Sequence, residues 1–383
     1  MKYEMKYKIT FLYIFIFLIS GAISCEKDEE NQLFPSGDFI SSGSCQGEYW
    51  PTRGWRFCTP EEVGMDSEKL KELNHEIQIL LELHIDVNTV LIVKDGYIVA
   101  EQYYSEDYGA DSLHRIHSCT KSITSALMGI AIEQGYIPGV NSTMTSFFPE
   151  YEIKNLSDNK EKITLEHMLT MSAGLEWYEI EYPYDDERNT FRQWVRSDDR
   201  VKFVLDQPVT SSPGYEFSYN TGISHLLSAI IERSTGMRTD SFAQEQLFTP
   251  LGIDRYYWPH DAMGVSYGGS SMRMLPRDMA KFGYLYLKNG LWEGEQIIPE
   301  EWVEVSQQKH IARKYIPDDY YGYQWWVSDK NRYSAVGFAG QWITIMPEHD
   351  LVVVFTNQFD EGVDLQWSTP ERLLENYILP AIR

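Results

Sequence analysis

Ser118 and Lys121 stand three residues apart and have side chains suited to nucleophilic chemistry. They open an apolar run that predicts a helix, with Ile123, Ala126, Leu127, Ile130 and Ala131. Residues three apart lie on one face of a helix, so the Lys121 amine is expected within reach of the Ser118 proton. A serine hydroxyl needs such a base to become a good nucleophile. The spacing also fits a helix cap followed by a solvated lysine, so the chemical interpretation depends on the rest of the chain.

Tyr219 is a third candidate for proton transfer. It lies in the segment Pro213 to Gly222, which leads into an apolar helix predicted from Ile223 to Ile231. A phenol near Ser118 and Lys121, with its pKa lowered by the ammonium, is expected to relay a proton between nucleophile and leaving group. The alternative is a tyrosine that packs a helix start, in a chain with 26 tyrosines.

The elements that must position these groups come from both ends of the chain. Asp66 or Ser67 can cap a helix through Leu70, Leu73, Ile77, Leu80 and Leu81. The segments Thr89–Val93 and Tyr97–Glu101 flank the turn Lys94-Asp95-Gly96 and predict a hairpin. Near the other end, Trp342–Ile345 and Leu351–Phe355 predict two strands joined through Pro347–Asp350, and an apolar helix with Leu373, Leu374, Tyr377 and Ile378 follows. One antiparallel sheet built from both ends is therefore expected.

The middle of the chain has mostly helical patterns, as in His167–Met171, Leu226–Ile231 and Asp278–Leu287. We therefore predict an α/β (α+β) fold in which helices flank an antiparallel sheet. The sheet domain is predicted over residues 61–124 and 316–383, with an inserted, mostly helical subdomain over residues 125–315. A cleft between two such units is a usual place for a small-molecule site, and Ser118 is expected at their junction.

Residues 1–24 have the features of a secretory signal: Lys2, Lys6 and Lys8, an apolar run from Ile9 to Ile19, and small residues before Cys25. Ala22-Ile23-Ser24-Cys25 resembles the lipobox of bacterial lipoproteins, although Ala22 replaces the usual leucine. We expect an exported protein that is lipidated on Cys25 and anchored to a membrane, periplasmic or at the cell surface. Residues 25–60 are predicted to form a tether and an irregular segment.

Charge and cysteine content restrict the partners. The formal charge of −24 and the pI near 4.7 argue against nucleic acid, which requires clusters of Lys and Arg. A disulfide between Cys45 and Cys58 is compatible with an oxidising compartment, but the sequence leaves this pairing open. His114 and His117 have no third ligand cluster beside them, so no metal and no cofactor is predicted.

Six motifs follow one another along the chain: Ser118-x-x-Lys121, Leu165–Leu175, Pro213–Gly222, Phe248–Ile253, Pro276–Gly283 and Tyr321–Trp326. The motifs and their order resemble the serine beta-lactamase-like family, and the form of the Tyr219 motif resembles its 6-aminohexanoate-dimer hydrolase branch. The similarity extends from about residue 60 to the end of the chain. It implies a helix-flanked antiparallel sheet with a helical subdomain, and an acyl-enzyme mechanism.

The resemblance also implies roles for individual residues. Ser118 is expected as the acylated nucleophile, Lys121 as its base and Tyr219 as the acid/base group, while the backbone N–H groups of Ser118 and Gln341 would form the oxyanion hole. Thr221 stands where asparagine is usual, and the Lys-Thr-Gly strand motif falls at Phe338-Ala339-Gly340 without its lysine and threonine. The expected substrate-binding residues are Thr221, Phe338, Ala339, Gly340, Trp177 and Tyr178, and Trp325, Trp326 and Trp342 are further candidates for either an acyl pocket or core packing.

These residues lead to one principal function and two alternatives. The principal hypothesis is a serine hydrolase that cleaves a small-molecule ester or amide through an acyl-enzyme on Ser118. A D,D-peptidase or beta-lactamase-like penicillin-binding protein is the first alternative, but without the strand lysine and threonine it lacks groups that bind a substrate carboxylate. The second is a catalytically silent lipoprotein that binds a ligand. The sequence does not determine the oligomeric state.

Overall fold

The computed structural model describes residues 39–313, 319–358 and 368–383, all within one compact unit. The predicted signal peptide, Cys25 and the first part of the tether lie outside the described residues. Within the described ranges, no helix combines the length and apolar character needed to cross a bilayer.

An eight-stranded sheet with antiparallel pairing is built from both ends of the chain, as predicted. Its strands are β1 (Thr89–Lys94), β2 (Tyr97–Tyr103), β8 (Ile311–Ala312), β9 (Asp319–Tyr321), β10 (Trp326–Ser328), β11 (Arg332–Gly337), β12 (Gln341–Met346) and β13 (Leu351–Thr356). Their order in the sheet is β2-β1-β13-β12-β11-β10-β9-β8. The short strands β3 (His114–Arg115), β4 (Tyr256–Tyr257) and β5 (Arg273–Met274) form a second sheet, and β6 (Leu291–Trp292) pairs with β7 (Glu295–Gln296).

The helices of the described residues flank this sheet and fill the middle of the chain. They are α1 (Ser67–Glu82), α2 (Thr120–Glu133), α3 (Asp158–Glu161), α4 (Leu165–Leu169), α5 (Thr190–Val195), α6 (Arg200–Leu205), α7 (Thr221–Thr235), α8 (Thr239–Ala243), α9 (Pro276–Leu287), α10 (Glu300–Ser306) and α11 (Thr369–Leu373). The predicted helix through Leu70 to Leu81 is α1, and Asp66 caps it by accepting from the backbone of Glu68 and Lys69.

Both faces of the sheet are covered, and the alternation of side chains along each strand separates two cores. Leu91 and Val93 of β1 belong to the core on one face, whereas Val90 and Ile92 belong to the core on the other. Helix α1 and the C-terminal helical turns supply the second core. The predicted α/β class with helices on an antiparallel sheet is confirmed.

Two elements that lie inside the range predicted for the helical subdomain belong with the sheet instead. Strand β8 precedes residue 316 and forms the sheet edge. Helix α9 packs on the sheet through Gly283, where a Cβ atom would lie 2.7 Å from Val352 Cγ1 and 2.9 Å from Ile343 Cγ2. The missing side chain at Gly283 brings the helix close to the strands, and a sequence pattern of helices alone does not reveal this contact.

The described part of the predicted tether, from residue 39 onward, is packed on the sheet. Ile40 pairs with Ala100 and Phe57 pairs with Ile98, so the segment covers the outer edge of β2. A disulfide joins Cys45 to Cys58 within this segment. Covering an edge strand satisfies its free backbone groups and prevents pairing with other chains.

Candidate active site

Ser118 lies in a 3-10 turn, His117–Cys119, that leads directly into α2. His117 has a φ of +46°, a left-handed conformation that turns the chain sharply just before the serine. Ser118 is half-buried and lines a cavity, whereas Cys119 points into the core and its thiol contacts the carbonyl oxygen of Gln341 at 3.4 Å. Of the three residues of this turn, Ser118 lines the cavity.

Lys121 is 1% exposed and its amine donates three hydrogen bonds. The acceptors are Ser118 Oγ at 3.0 Å, Thr221 Oγ1 at 3.0 Å and the carbonyl oxygen of Gly269 at 2.7 Å. Burial lowers the pKa of Lys121 to about 8, although the charge of Glu179 acts in the opposite direction. The structure thus brings a buried amine with a depressed pKa within hydrogen-bond distance of the serine.

Tyr219 lies in the same group of side chains, 8% exposed. Its ring centroid is 4.8 Å from Lys121 Nζ, and the ring stacks on Trp326 with centroids 5.8 Å apart. The expectation of a lowered pKa was wrong, because burial and then the charge of Glu179 raise the pKa of Tyr219, outweighing its hydrogen bonds to Ser118 and Thr221. Tyr219 is therefore a protonated phenol and a proton donor.

Thr221, which stands in the sequence where asparagine is usual, begins helix α7. Asn220 caps this helix by accepting from the backbone of Ile223 at 3.0 Å, which fixes the residues on either side of it. Thr221 Oγ1 accepts a hydrogen bond from Lys121 at 3.0 Å and donates one to Glu179 at 2.6 Å. It binds the amine of Lys121, and it does not line the cavity that contains Ser118.

Glu179 is a residue of this site that the sequence reasoning missed. It is 2% exposed and accepts hydrogen bonds from Thr221 N, Thr221 Oγ1, Trp177 Nε1 and the Tyr184 hydroxyl at 2.6 to 3.3 Å. Asn189 holds the loop by donating to the carbonyl oxygens of Glu179 and Tyr182, both at 2.8 Å. In the sequence Glu179 is one of several acids in an aromatic-rich loop, and nothing in its spacing distinguishes it from its solvated neighbours.

Gly269 is the second residue that the sequence reasoning missed. A Cβ atom there would lie 2.7 Å from Thr221 Cγ2 and 2.8 Å from the Thr221 carbonyl oxygen, so only glycine allows this loop to reach Lys121. Thr124 of α2 donates to the carbonyl oxygen of the preceding Gly268 at 2.7 Å. The adjacent glycines are the one sequence signal that marks a close backbone approach here.

Gln341, the other predicted member of the oxyanion hole, begins β12 next to the turn that carries Ser118. Its side-chain amide donates to the carbonyl oxygen of Asn357 at 2.7 Å, and Asn357 donates to the carbonyl oxygen of Gly340 at 2.6 Å, which holds the strand end in place. A Cβ atom on Gly337 would lie 2.4 Å from the Ile116 carbonyl oxygen. The end of β11 therefore lies against the turn that carries Ser118.

A cavity of about 610 Å³ opens in front of Ser118. Tyr219, Tyr184, Phe338, Trp326, Trp342 and Ile180 give it an apolar and aromatic lining near the serine. Phe338 contacts the rings of His117 and Tyr184, with centroids 5.5 and 5.6 Å away. Of the three residues at the Lys-Thr-Gly position, Phe338 lines the cavity, while Ala339 and Gly340 are buried behind it.

Two aromatic residues expected to bind substrate lie outside the cavity that contains Ser118. Trp177 is 3% exposed and packs in the core, where its indole supports Glu179. Tyr178 is 42% exposed and lines a neighbouring depression. Trp325, a candidate for either the acyl pocket or core packing, is fully buried and stacks on Phe282.

The charged side chains at the outer part of the cavity are joined in ion pairs. Arg313 pairs with Asp319 at 2.5 Å, and Arg332 pairs with Glu371 at 2.7 Å and also with Glu375. In the described parts of the chain, the one group of three potential metal ligands is Cys45, Cys58 and Glu62, and its two sulfur atoms are bonded to each other. The group around Ser118 contains a hydroxyl, the amine of Lys121 and the phenol of Tyr219.

Comparisons with known proteins agree with this fold. The beta-lactamase family model matches residues 81–373. A 6-aminohexanoate-dimer hydrolase from Paenarthrobacter ureafaciens is 24% identical over 296 residues, which cover 72% of this chain and 74% of that protein. Among solved structures, EstCE1, a hydrolase with promiscuous acyltransferase activity, aligns with a TM-score of 0.66 and 18% identity over 81% of this chain and 98% of that chain. An octameric penicillin-binding protein homologue from Pyrococcus abyssi aligns with a TM-score of 0.63 and 20% identity over 83% of this chain and 79% of that chain.

Proposed function

Because the chain belongs to the beta-lactamase family, whose members are serine hydrolases, we propose that it cleaves an ester or amide bond through an acyl-enzyme on Ser118. The observation that carries this proposal is the 3.0 Å hydrogen bond between Lys121 Nζ and Ser118 Oγ at the base of an accessible cavity. A solvated lysine would have an ordinary pKa, whereas burial lowers the pKa of Lys121 to about 8 and makes the neutral base accessible.

Acylation starts with neutral Lys121. Its lone pair takes the Ser118 proton as Oγ attacks the substrate carbonyl carbon, and the backbone N–H groups of Ser118 and Gln341 stabilise the oxyanion. When the tetrahedral intermediate collapses, the bond to the leaving group breaks and Tyr219 donates a proton to the departing atom. Tyr219 then recovers a proton from the Lys121 ammonium, so both groups return to their starting states.

In deacylation, water takes the place of Ser118 as the nucleophile, and Ser118 becomes the leaving group. Water attacks the acyl carbon, its proton passes to Lys121, and the Ser118–acyl bond breaks with return of a proton to Oγ. The products are the carboxylic acid and the free enzyme. No cofactor enters either half of this cycle.

The cavity lining favours an ester or a small amide over a beta-lactam or a peptidoglycan stem. Phe338 and Ala339 occupy the positions where a lysine and a threonine would bind a substrate carboxylate, and neither side chain can do so. The aromatic walls formed by Phe338, Trp326 and Trp342 instead present apolar surface next to the serine.

Hydrolysis of short-chain nitrophenyl esters, together with labelling by a fluorophosphonate probe, tests the proposal. We expect the unmodified chain to turn over the ester and to be labelled, and the Ser118→Ala variant to do neither. Equal turnover by both proteins would refute the assignment of Ser118, and an unlabelled chain would favour a ligand-binding protein. Labelling by a fluorescent penicillin would favour the penicillin-binding alternative.

The sequence of residues 1–30 supports a further proposal, export and lipid anchoring through Cys25. In cells that express the full chain and are fed an alkyne analogue of palmitate, the unmodified protein should incorporate the analogue and the Cys25→Ala variant should not. Absence of the analogue from the unmodified protein would exclude lipidation.

A further inference from the structure

We infer that Glu179, acting through Thr221, is a positioning residue that directs the lone pair of Lys121 at Ser118. The inference deepens the proposed function and rests on it. Neither Glu179 nor its link to Thr221 follows from the Ser-x-x-Lys and Tyr-x-Asn motifs.

The direction of each hydrogen bond in this group is set by what the partners can donate. A carboxylate has no proton to give, so in the 2.6 Å contact Thr221 donates and Glu179 accepts. A hydroxyl has one proton, and that proton is then used. In the 3.0 Å contact with Lys121, Thr221 is left with lone pairs only and must accept.

The second neighbour of Lys121 has the same property. The carbonyl oxygen of Gly269, 2.7 Å from Nζ, accepts and cannot donate. When Lys121 loses a proton to become a base, its two remaining N–H bonds are held by Thr221 and Gly269. The lone pair then points along the third direction, which is occupied by Ser118 Oγ at 3.0 Å.

Without Glu179, the hydroxyl of Thr221 would be free to rotate and donate its proton to neutral Lys121. That hydrogen bond would occupy the lone pair needed by Ser118. An asparagine at this position would offer Lys121 a carbonyl oxygen, which only accepts, and would need no such partner. A threonine hydroxyl can either donate to Lys121 or accept from it, depending on where its proton points. Glu179 binds the Thr221 proton, so Thr221 can only accept from Lys121. Glu179 is 2% exposed, and at this buried position water does not compete for the hydrogen bond.

The test compares Glu179→Gln, Thr221→Val, Thr221→Ser and the double variant Glu179→Gln/Thr221→Val, with Glu166→Gln as the matched control. Glu166 also accepts from a tyrosine hydroxyl, that of Tyr323 at 2.9 Å, but it does not line the Ser118 cavity. The readouts are kcat and KM for a nitrophenyl ester and the pH dependence of fluorophosphonate labelling, and thermal unfolding monitors folding.

We expect Glu179→Gln and Thr221→Val each to lower kcat by about tenfold or more, with KM within about twofold, because an oriented base acts on the chemical step. Thr221→Ser keeps the hydroxyl, so its kcat should stay near that of the unmodified protein. The charged and titratable groups that interact with Lys121 are Glu179, Cys119, Tyr219 and His117, and Glu179 raises its pKa. The acid limb of labelling should therefore move to lower pH in Glu179→Gln, a shift that a purely structural role would not produce.

The double variant decides whether Glu179 acts through Thr221. If it does, kcat of the double variant should fall no further than kcat of the worse single variant. If the two fold-losses in kcat multiply in the double variant, the inference is overturned. Behaviour of Glu179→Gln equal to that of Glu166→Gln would also overturn it. Should Glu179→Gln fail to fold, the contrast between Thr221→Val and Thr221→Ser decides, because equal rates in those two exclude a role for the hydroxyl. An unlabelled, inactive unmodified chain would instead refute the proposed function, and this inference with it.

Discussion

At the scale of single residues, burial sets the chemistry of the proposed active site. Lys121 and Tyr219 lie within one group, yet burial shifts their pKa values in opposite directions, because it disfavours the charged form of each. For an amine the neutral form is the base, whereas for a phenol the neutral form is the acid. The same desolvation thus prepares Lys121 to accept a proton and Tyr219 to donate one.

The pKa of Lys121 predicts the pH dependence of activity. The neutral form of Lys121 predominates above its pKa of about 8. The value of kcat/KM for a nitrophenyl ester should therefore rise with pH and level off above about 8. The initial rates are measured from pH 5 to 10 with a correction for spontaneous hydrolysis. A rate that is flat from pH 5.5 to 7.5 would contradict a lysine base.

The protonated phenol of Tyr219 predicts a dependence on the leaving group. Tyr219→Phe should slow hydrolysis of alkyl esters or amides by about 10²-fold, because alkoxide and amide anions leave poorly without a proton. Nitrophenyl esters should be affected less, since nitrophenolate is a stable anion. Equal losses for both substrates would show that Tyr219 does not act on the leaving group.

At the scale of elements, the site depends on the close approach of β11 to the turn that carries Ser118. Gly337 ends β11, and the carbonyl oxygen of Ile116 occupies the space that a side chain would need. A second glycine, Gly269, allows its loop to reach Thr221 and Lys121. Glycines at these contacts allow separate elements to meet near Ser118 and Lys121.

Substitution of Gly337 tests this contact. In Gly337→Ala the new Cβ would lie 2.4 Å from the Ile116 carbonyl oxygen, so the strand or the turn must move. We expect a loss of about 1 to 3 kcal/mol of unfolding free energy together with a fall in kcat. Gly109→Ala is the control, because a Cβ there meets nothing within 4 Å. Unchanged stability and activity in Gly337→Ala would show that this approach is not needed.

At the scale of the whole molecule, opposite halves of the eight-stranded sheet serve different purposes. The cavity lies along β9 to β12, whereas the N-terminal segment with its disulfide covers β2 at the far edge. The two cores hold the sheet between them. Stability of the β2 edge and activity at the cavity should therefore be separable.

Removal of the disulfide tests this separation. The double variant Cys45→Ala/Cys58→Ala opens a loop with a sequence separation of 13, which should lower the free energy of unfolding by about 3 kcal/mol. Urea unfolding measures this change, and kcat/KM at 25 °C should stay the same. A large loss of activity in the folded variant would show that the covered edge affects the site.

The pairing of Ser118 with Lys121 was determined by the sequence, because helix geometry fixes side chains three residues apart. Alternating and periodic apolar residues likewise predicted α1, the hairpin β1–β2 and the C-terminal strands, and the family resemblance predicted the fold. The contacts of Glu179 and Gly269 emerged from the tertiary structure, since they join segments far apart in the chain; in the sequence, only the adjacent glycines Gly268 and Gly269 marked a close backbone approach. The positions of Trp177 and Tyr178 and the direction of the Tyr219 pKa shift were decided there too. Burial and electrostatics depend on every element that surrounds a group, and local spacing does not contain that information.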